Sequence, residues 1–356
     1  MLEPEKGVAI SQRLPHVHTA LVLGPNWIGD AVMSTPMLAN LRQGLPKGTI
    51  DLLVPPHIAP LFEEHPHVDR VLVWSGERGW RGRLAQALAL RRNRYDVAVL
   101  LPNSFRSALW AWAIGASARV GYATDGRRPL LTHPVRAQEV PPSHQVEAYL
   151  RLVAALGIPV VKQSPLLIPS ARAEAAADQL WTSHGLRTDA RVVGICPGAS
   201  FGPAKRWWPE RFAELGDRLI AESGVGVVLF GSLAEVALIE HVRSQMRQPA
   251  ISLAGRDTLG SFMALAARCQ VLVTNDSGPM HIASAVGTPV VAMFGPTDPR
   301  RTAPLGHPAH VLRYDLPCSP CFRRVCPYPD HPCMRLIGVD EVLHAVLQML
   351  RTGRTP

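Results

Sequence analysis

The pattern that most constrains this chain is an alternation kept along its whole length. Short, continuous, β-branched apolar runs are each followed by a stretch with helical spacing. In the first half TALVLG (19–24) leads through a helix to IDLLV (50–54), then DRVLVW (69–74), RLAQALALRR (83–92), DVAVLLP (96–102) and SALWAWAIG (107–115). In the second half VVGICPG (192–198) precedes PERFAELGDRLIAE (209–222) and VGVVLFG (225–231) precedes AEVALIEHVRSQM (234–246). VLVTND, MHIASAV and PVVAMFG complete the series. Strands that are apolar throughout, rather than at alternate positions, are covered on both faces, as in a parallel sheet wrapped by helices. The expected fold class is therefore α/β, with a doubly wound, Rossmann-like domain in each half. A chain of 356 residues is long enough for two such domains. They are expected at 17–170 and 186–336, with proline-rich IPVVKQSPLLIPS (158–170) near the join. A terminal helix over 338–352, VDEVLHAVLQMLR, is expected to cross back to the first domain. Ligands of such sheets bind at the carboxyl ends of the strands, so two facing domains would line a cleft.

Nowhere do about 18 apolar residues run together, so no transmembrane helix is expected. Residues 1–18 carry Glu3, Pro4, Glu5 and Pro15 and no apolar core, unlike a secretory signal. The expected location is the cytoplasm. The formal net charge is +9 and it is unevenly spread. From Arg78 to Arg136 there are eleven arginines, no lysine, and only Asp96 and Asp125 as acids, so this segment alone supplies 11 − 2 = +9. Such a surface is either simply solvated or suits a polyanion: nucleic acid, anionic lipid or a phosphorylated substrate.

GPNWIGDAV (24–32) spaces Gly24 and Gly29 as in the phosphate-cradling G-x-x-x-x-G-K-[ST] motif, yet Asp30 stands in place of its lysine. The plainer reading makes Asp30 a helix cap. Pro36, however, suits a helix that begins there with Thr35 as its cap, which frees Asp30 in a loop. A carboxylate beside a helix N-terminus stays ionised. It repels phosphate but accepts a proton, so the loop suits a general base better than a nucleotide cradle.

Anion chemistry lies in the second half. GASFGPAKRWWP (198–209) follows a strand and carries Lys205 and Arg206, with Trp207, Trp208 and Pro209 placed to anchor the turn. VTNDSGPMHIASA (273–285) runs from strand to helix through Asn275, Asp276, Ser277 and Gly278. The N–H groups expected there make an anion site, with His281 one turn in. Glu235, in GSLAE (231–235), is either a helix-start acid or a ribose contact.

NWIGDAVMSTPML, PGASFGPAKRWWPERFAEL, LAGRDTLGSFMALAARC and NDSGPMHIASAVGTPVVAMFGPTDP resemble the ADP-heptose:lipopolysaccharide heptosyltransferases of glycosyltransferase family 9, and most of all their heptosyltransferase II branch. The resemblance spans roughly residues 19–350. It implies a GT-B fold, with the acceptor on the first domain and the nucleotide sugar on the second. By the same resemblance Asp30 is the catalytic base and Lys205 contacts the diphosphate, helped by Ser200. Asp276, Ser277, Gly278 and His281 form the donor-binding run, Glu235 contacts the ribose, and Thr258 and Leu259 lie near the adenine. Arg206 is added on electrostatic grounds. The implied activity is inverting transfer of L-glycero-D-manno-heptose from ADP-heptose to the inner-core heptose of lipopolysaccharide. It is expected at the cytoplasmic face of the inner membrane, with no nucleic acid as partner. The alternatives are a GT-B transferase or epimerase using another nucleotide sugar, or a basic nucleic-acid-binding protein. No D-x-D triplet offers a carboxylate pair for Mg²⁺, so no cofactor is expected for catalysis.

Cys318, Cys321, Cys326 and Cys333 fall within sixteen residues as C-x2-C-x4-C-x6-C. In a cytosolic chain this suggests a structural zinc before disulfides, with free thiols an even alternative. PCSPC (317–321) lacks the H-x-E partner that a zinc deaminase needs.

Overall fold

The computed structural model describes residues 17–74, 79–136 and 143–352. The chain forms two compact units that divide between Leu166 and Leu167. The first contains β1 (Thr19–Leu23), α1 (Ile28–Met33), α2 (Thr35–Gly44), β2 (Thr49–Val54), β3 (Arg70–Val73), α3 (Gly79–Leu90), β4 (Val97–Leu100), α4 (Phe105–Ile114), β5 (Ala118–Tyr122), β6 (His133–Val135) and α5 (Gln145–Ala154). The second begins with α6 (Ala171–Ser183), β7 (Val192–Cys196), α7 (Pro209–Ser223), β8 (Gly226–Leu229), α8 (Val236–Gln245) and β9 (Ile251–Ser252). It continues with α9 (Leu259–Arg268), β10 (Val271–Asn275), α10 (Gly278–Ala285), β11 (Val290–Met293), α11 (Pro299–Thr302), β12 (Ala309–Leu312), α12 (Pro332–Arg335) and α13 (Val339–Thr352).

Both sheets have six strands, all parallel, in the orders β3-β2-β1-β4-β5-β6 and β12-β11-β10-β7-β8-β9. Counted from its own first strand and read in reverse, the second order is also 3-2-1-4-5-6. The two units thus share the doubly wound topology expected from the alternating pattern. Central strands are buried throughout: β4 and β7 have no exposed residue. In each unit the order of strand addition reverses at one place, between β1 and β4 and between β7 and β10. These switch points open a crevice at the carboxyl ends of the two strands.

Helix α7 starts with Pro209 in its first turn and Glu210 behind it, and stops at Gly224 in the left-handed region. It buries Phe212, Ala213, Leu215, Gly216 and Leu219. Against it lies α13, whose Val342, Leu343, Ala345 and Val346 enter the same core as Trp207, Met334 and Ile337. The terminal helix therefore completes the second unit, where the sequence suggested a crossing back to the first. Its apolar face lies against α7, and Arg218 Nη1 donates to Asp340 Oδ1 at 2.5 Å at the edge of that contact.

Candidate functional site

In the first unit β1 ends at Leu23, and the loop that follows, from Gly24, enters α1 through Trp27. Asp30 is the third residue of α1, half-buried, and the acid of its first turn. The sequence allowed a cap or a free loop. The structure gives neither, because α1 begins at Ile28 behind Trp27, three residues earlier than the capping reading required. The second helix also starts one residue early, at Thr35 behind Ser34, with Pro36 in its first turn. Only six residues of α1 fit between the two, and Ser34 and Thr35 bond back to Ala31 O and Val32 O at the break. Asp30 lies on the first turn of this helix, at the carboxyl end of β1. Tyr149 of α5 is its neighbour. Burial first, then the Asp30 carboxylate, pushes the Tyr149 phenol well above its ordinary range.

In the second unit the loops after β7 and β10 meet at the switch point. Asn275, fully buried, ties them together: its Oδ1 accepts from Trp207 N at 3.0 Å and its Nδ2 donates to Pro197 O at 2.8 Å. Trp207 is buried as the sequence suggested, edge-on to Phe212 at 5.0 Å, with Nε1 donating to Ile337 O at 3.0 Å. The loop carrying Ser200, Lys205 and Arg206 is thus fixed at both ends. Lys205 Nζ pairs with Asp276 Oδ2 at 2.5 Å, and Thr297 Oγ1 donates to the same oxygen at 2.6 Å. Both charges are largely withdrawn from water, with 12% and 4% of their side chains exposed. Lys205 Nζ also stands 4.9 Å from the centre of the Phe201 ring. Ser200 is exposed in the same loop. Arg206 bonds Ala199 O through Nη2 at 3.4 Å, while its buried Nε has no partner among the described residues.

Ser277 caps α10 without using its side chain on the helix. Among the described residues nothing accepts from the N–H groups of Ser277 and Gly278. The sequence expected four such donors, but Asp276 N is committed to Met293 O and Asn275 lies within the sheet. His281 is buried in the first turn of α10, 6% exposed. Glu235 serves as a helix-start acid: its Oε2 accepts from Ser232 N at 2.9 Å and Ser232 Oγ at 2.7 Å. Its other oxygen lies so close to Gly198 that a Cβ there would meet it at 2.0 Å and push the carboxylate aside. The carboxylate therefore flanks the loop that carries Lys205. Thr258 caps α9, with Oγ1 accepting from Ser261 N at 3.1 Å, and Leu259 opens that helix. No hydrogen bond among the described residues joins Thr258 or Leu259 to the Lys205 pair.

The four clustered cysteines are free thiols. Burial, then Cys326, Cys318 and Cys321, pushes the Cys333 thiol up to about 11. Among the described residues no group of three His, Cys, Asp or Glu side chains converges to hold a metal ion. The ligand set that the spacing suggested is therefore not preformed. The cysteine loop instead braces the Lys205 loop. Arg324 O accepts from Ala204 N at 3.0 Å, His331 Nε2 lies 2.8 Å from Ala204 O, and Gly202, at φ +156°, leaves no room for a Cβ beside Arg324.

Three residues at these sites escaped the sequence reading. Tyr149 lies 119 positions from Asp30 and no spacing links them. Arg324 places its guanidinium 5.5 Å from the Phe201 ring that Lys205 also approaches. Asp257, between β9 and α9, has its carboxyl raised to about 7 by burial. None belongs to a motif with a recognisable period.

The sequence model of glycosyltransferase family 9 (heptosyltransferase) matches residues 81–331. The chain is 37% identical over 307 residues to lipopolysaccharide heptosyltransferase 2 of Escherichia coli strain K12, covering 82% of this chain and 87% of that one. It superimposes on the structure of E. coli ADP-heptose lps heptosyltransferase II with a TM-score of 0.80 at 33% identity, over 94% and 99% of the two chains. With the glycosyl transferase family 9 structure from Veillonella parvula DSM 2008 the TM-score is 0.83 at 25% identity, over 94% and 97%.

Proposed function

From the premise that the chain belongs to glycosyltransferase family 9 and has its GT-B fold, we propose that it transfers L-glycero-D-manno-heptose from ADP-heptose to the inner-core heptose of lipopolysaccharide. It is a glycosyltransferase, and the observation that carries the specific reading is the built anion site at the β7–β10 switch point. There a lysine, two uncommitted N–H groups and a buried arginine nitrogen without a partner among the described residues lie on two loops tied together by Asn275 and Trp207.

The second unit binds the donor. Lys205, Arg206 and the Ser277 and Gly278 N–H groups take the diphosphate, with Ser200 and His281 beside them and Asp276 orienting Lys205. Glu235 contacts the ribose, and Thr258 and Leu259 border the adenine. Because Asp276 already neutralises Lys205, the pair alone offers a diphosphate no net charge. Arg206 and Arg324 supply the excess. Asp30 accepts the proton of the acceptor hydroxyl as that oxygen attacks the anomeric carbon in line with departing ADP, which inverts the centre. Positive charge develops on the sugar as in glycoside cleavage, and negative charge develops on ADP, where the cations and N–H groups are worth most.

The finer assignments are part of the same proposal. The acceptor is presented at a membrane surface in the cytoplasm. The cysteine loop stabilises the donor loop. A zinc ion on its four thiols requires them to close further, and metal content of protein purified without chelators tests it.

The decisive experiment is transfer from ADP-heptose to defined inner-core acceptors with the product linkage read by NMR. An α-linked heptose is expected. No transfer, together with equal thermal stabilisation by ADP, UDP and GDP, would refute the donor assignment.

A further inference from the structure

The arginine-rich segment acquires a specific geometry in the first unit. The crossovers from β3 to β4 and from β4 to β5 step the same way across the sheet, so α3 and α4 cover the same face. They are packed neighbours, and Arg91 at the end of α3 lies over Gly115 at the end of α4. Their outward sides are apolar to a degree unusual for a solvated surface. Trp80 is 66% exposed and Trp112 56%, and Leu88 and Phe105 are exposed beside them. On α3 the exposed positions Arg81, Ala85 and Leu88 recur at helical spacing, exposed Arg92 follows in the turn after it, and from Gly79 to Tyr95 there is no acid.

Both acids of the wider segment accept backbone hydrogen bonds, Asp96 at the start of β1 and Asp125 at the first residue of α4. Asp96 Oδ2 accepts from His18 N at 2.8 Å and Thr19 N at 2.9 Å, and Asp125 Oδ2 accepts from Phe105 N at 2.6 Å. Arg119 and Arg127 turn inward to carbonyl oxygens. Exposed Arg81, Arg92, Arg94, Arg106 and Arg128 are left without an ion pair among the described residues. Exposed Trp and Leu among unpaired arginines, with no acid between, supply the apolar and cationic contacts that an anionic bilayer surface takes.

We propose that the outward side of α3 and α4 docks on an anionic phospholipid bilayer, with Trp80, Leu88 and Trp112 entering the headgroup–acyl boundary and Arg81, Arg92 and Arg106 on lipid phosphates. The proposal deepens the reading of a lipid-linked acceptor and rests on it. A nucleic acid would use the arginines and tryptophans equally well, but it has no use for Ala85, Leu88 and Ala89, which offer no face to a base and fit an acyl layer.

The test is flotation of the full chain with vesicles, scored separately from sugar transfer. Binding is expected to phosphatidylglycerol-containing vesicles, to weaken with salt, and to be absent with phosphatidylcholine alone. R81A/R92A should partition about 25-fold less, at about fivefold per arginine. W80S/W112S should lose quenching by brominated lipid. Both variants should keep transferase activity on a deacylated, water-soluble acceptor, which shows that they fold. Absence of flotation with anionic vesicles, flotation untouched by both variants, or retention on single-stranded RNA stronger than on vesicles would overturn the proposal. Anionic flotation without transfer from ADP-heptose would support the surface and refute the donor reading instead.

Discussion

The Lys205–Asp276 pair separates a structural role from a binding role within one cycle of variants. Lys205→Met leaves the Asp276 carboxylate, 4% exposed, with Thr297 as its remaining side-chain donor. Breaking a buried pair by removing one partner typically costs ~3–5 kcal/mol, because the surviving charge has lost its compensation. Lys205 retains some contact with water, so the lower end, ~3 kcal/mol, is expected here. Asp276→Asn added to Lys205→Met removes the stranded charge and keeps the acceptor for Thr297, so most of that loss should return. Donor binding should behave otherwise. A charge-assisted bond to a phosphate oxygen contributes ~1.5–3 kcal/mol, about 10- to 150-fold in affinity. The double variant should bind ADP better than Lys205→Met, which strands a carboxylate beside the diphosphate, but still more weakly than the unaltered chain. Urea unfolding followed by tryptophan fluorescence reads the first quantity and titration calorimetry with ADP the second. Wild-type ADP affinity in the double variant would show that Lys205 is no diphosphate ligand. A double variant as unstable as the single one would show that the pair is not a buried unit.

Three further outcomes follow from named groups. Asp30→Asn should lower turnover by at least ~10²-fold with ADP affinity nearly unchanged, measured by steady-state transfer and calorimetry; near-normal turnover would remove it as the base. Arg324→Ala should weaken ADP binding roughly fivefold and flatten its salt dependence while hardly moving the unfolding midpoint, since the side chain is exposed and its contact with the Phe201 ring is a weak surface one. Asp257 carries its pH effect in a definite direction. With the folded carboxyl raised to about 7 against an ordinary 3.8, the unfolded chain releases that proton first, so stability falls as pH rises from about 4 to about 7 and is level above. Asp257→Asn should therefore stabilise at pH 8, by up to ~4 kcal/mol, and hardly at all at pH 4; equal gains at both would assign the effect to packing.

Much of this molecule follows from sequence period alone. Strands apolar at every position and helices apolar on one face dictate parallel sheets covered on both sides, and those run in two equivalent orders here. Motif spacing likewise put Lys205 and Asp276 at strand ends, because in a doubly wound sheet the residues after a strand always emerge at the same edge. Local pattern could not determine how helix starts are shared. A shift of a few residues in where α1 starts decides whether Asp30 is a cap, a loop residue or a first-turn acid, and the structure sets that start at Ile28, with α1 packed beside α5. Nor could it show where α13 rests, since an amphipathic helix fits any apolar groove and only the shape of α7 beside Trp207 selected one. The pairing of Lys205 with Asp276 and the approach of Arg324 to Phe201 belong to tertiary structure entirely. They join residues 71 and 123 positions apart whose geometry depends on Asn275, Gly198 and Gly202 leaving room for the loops to meet.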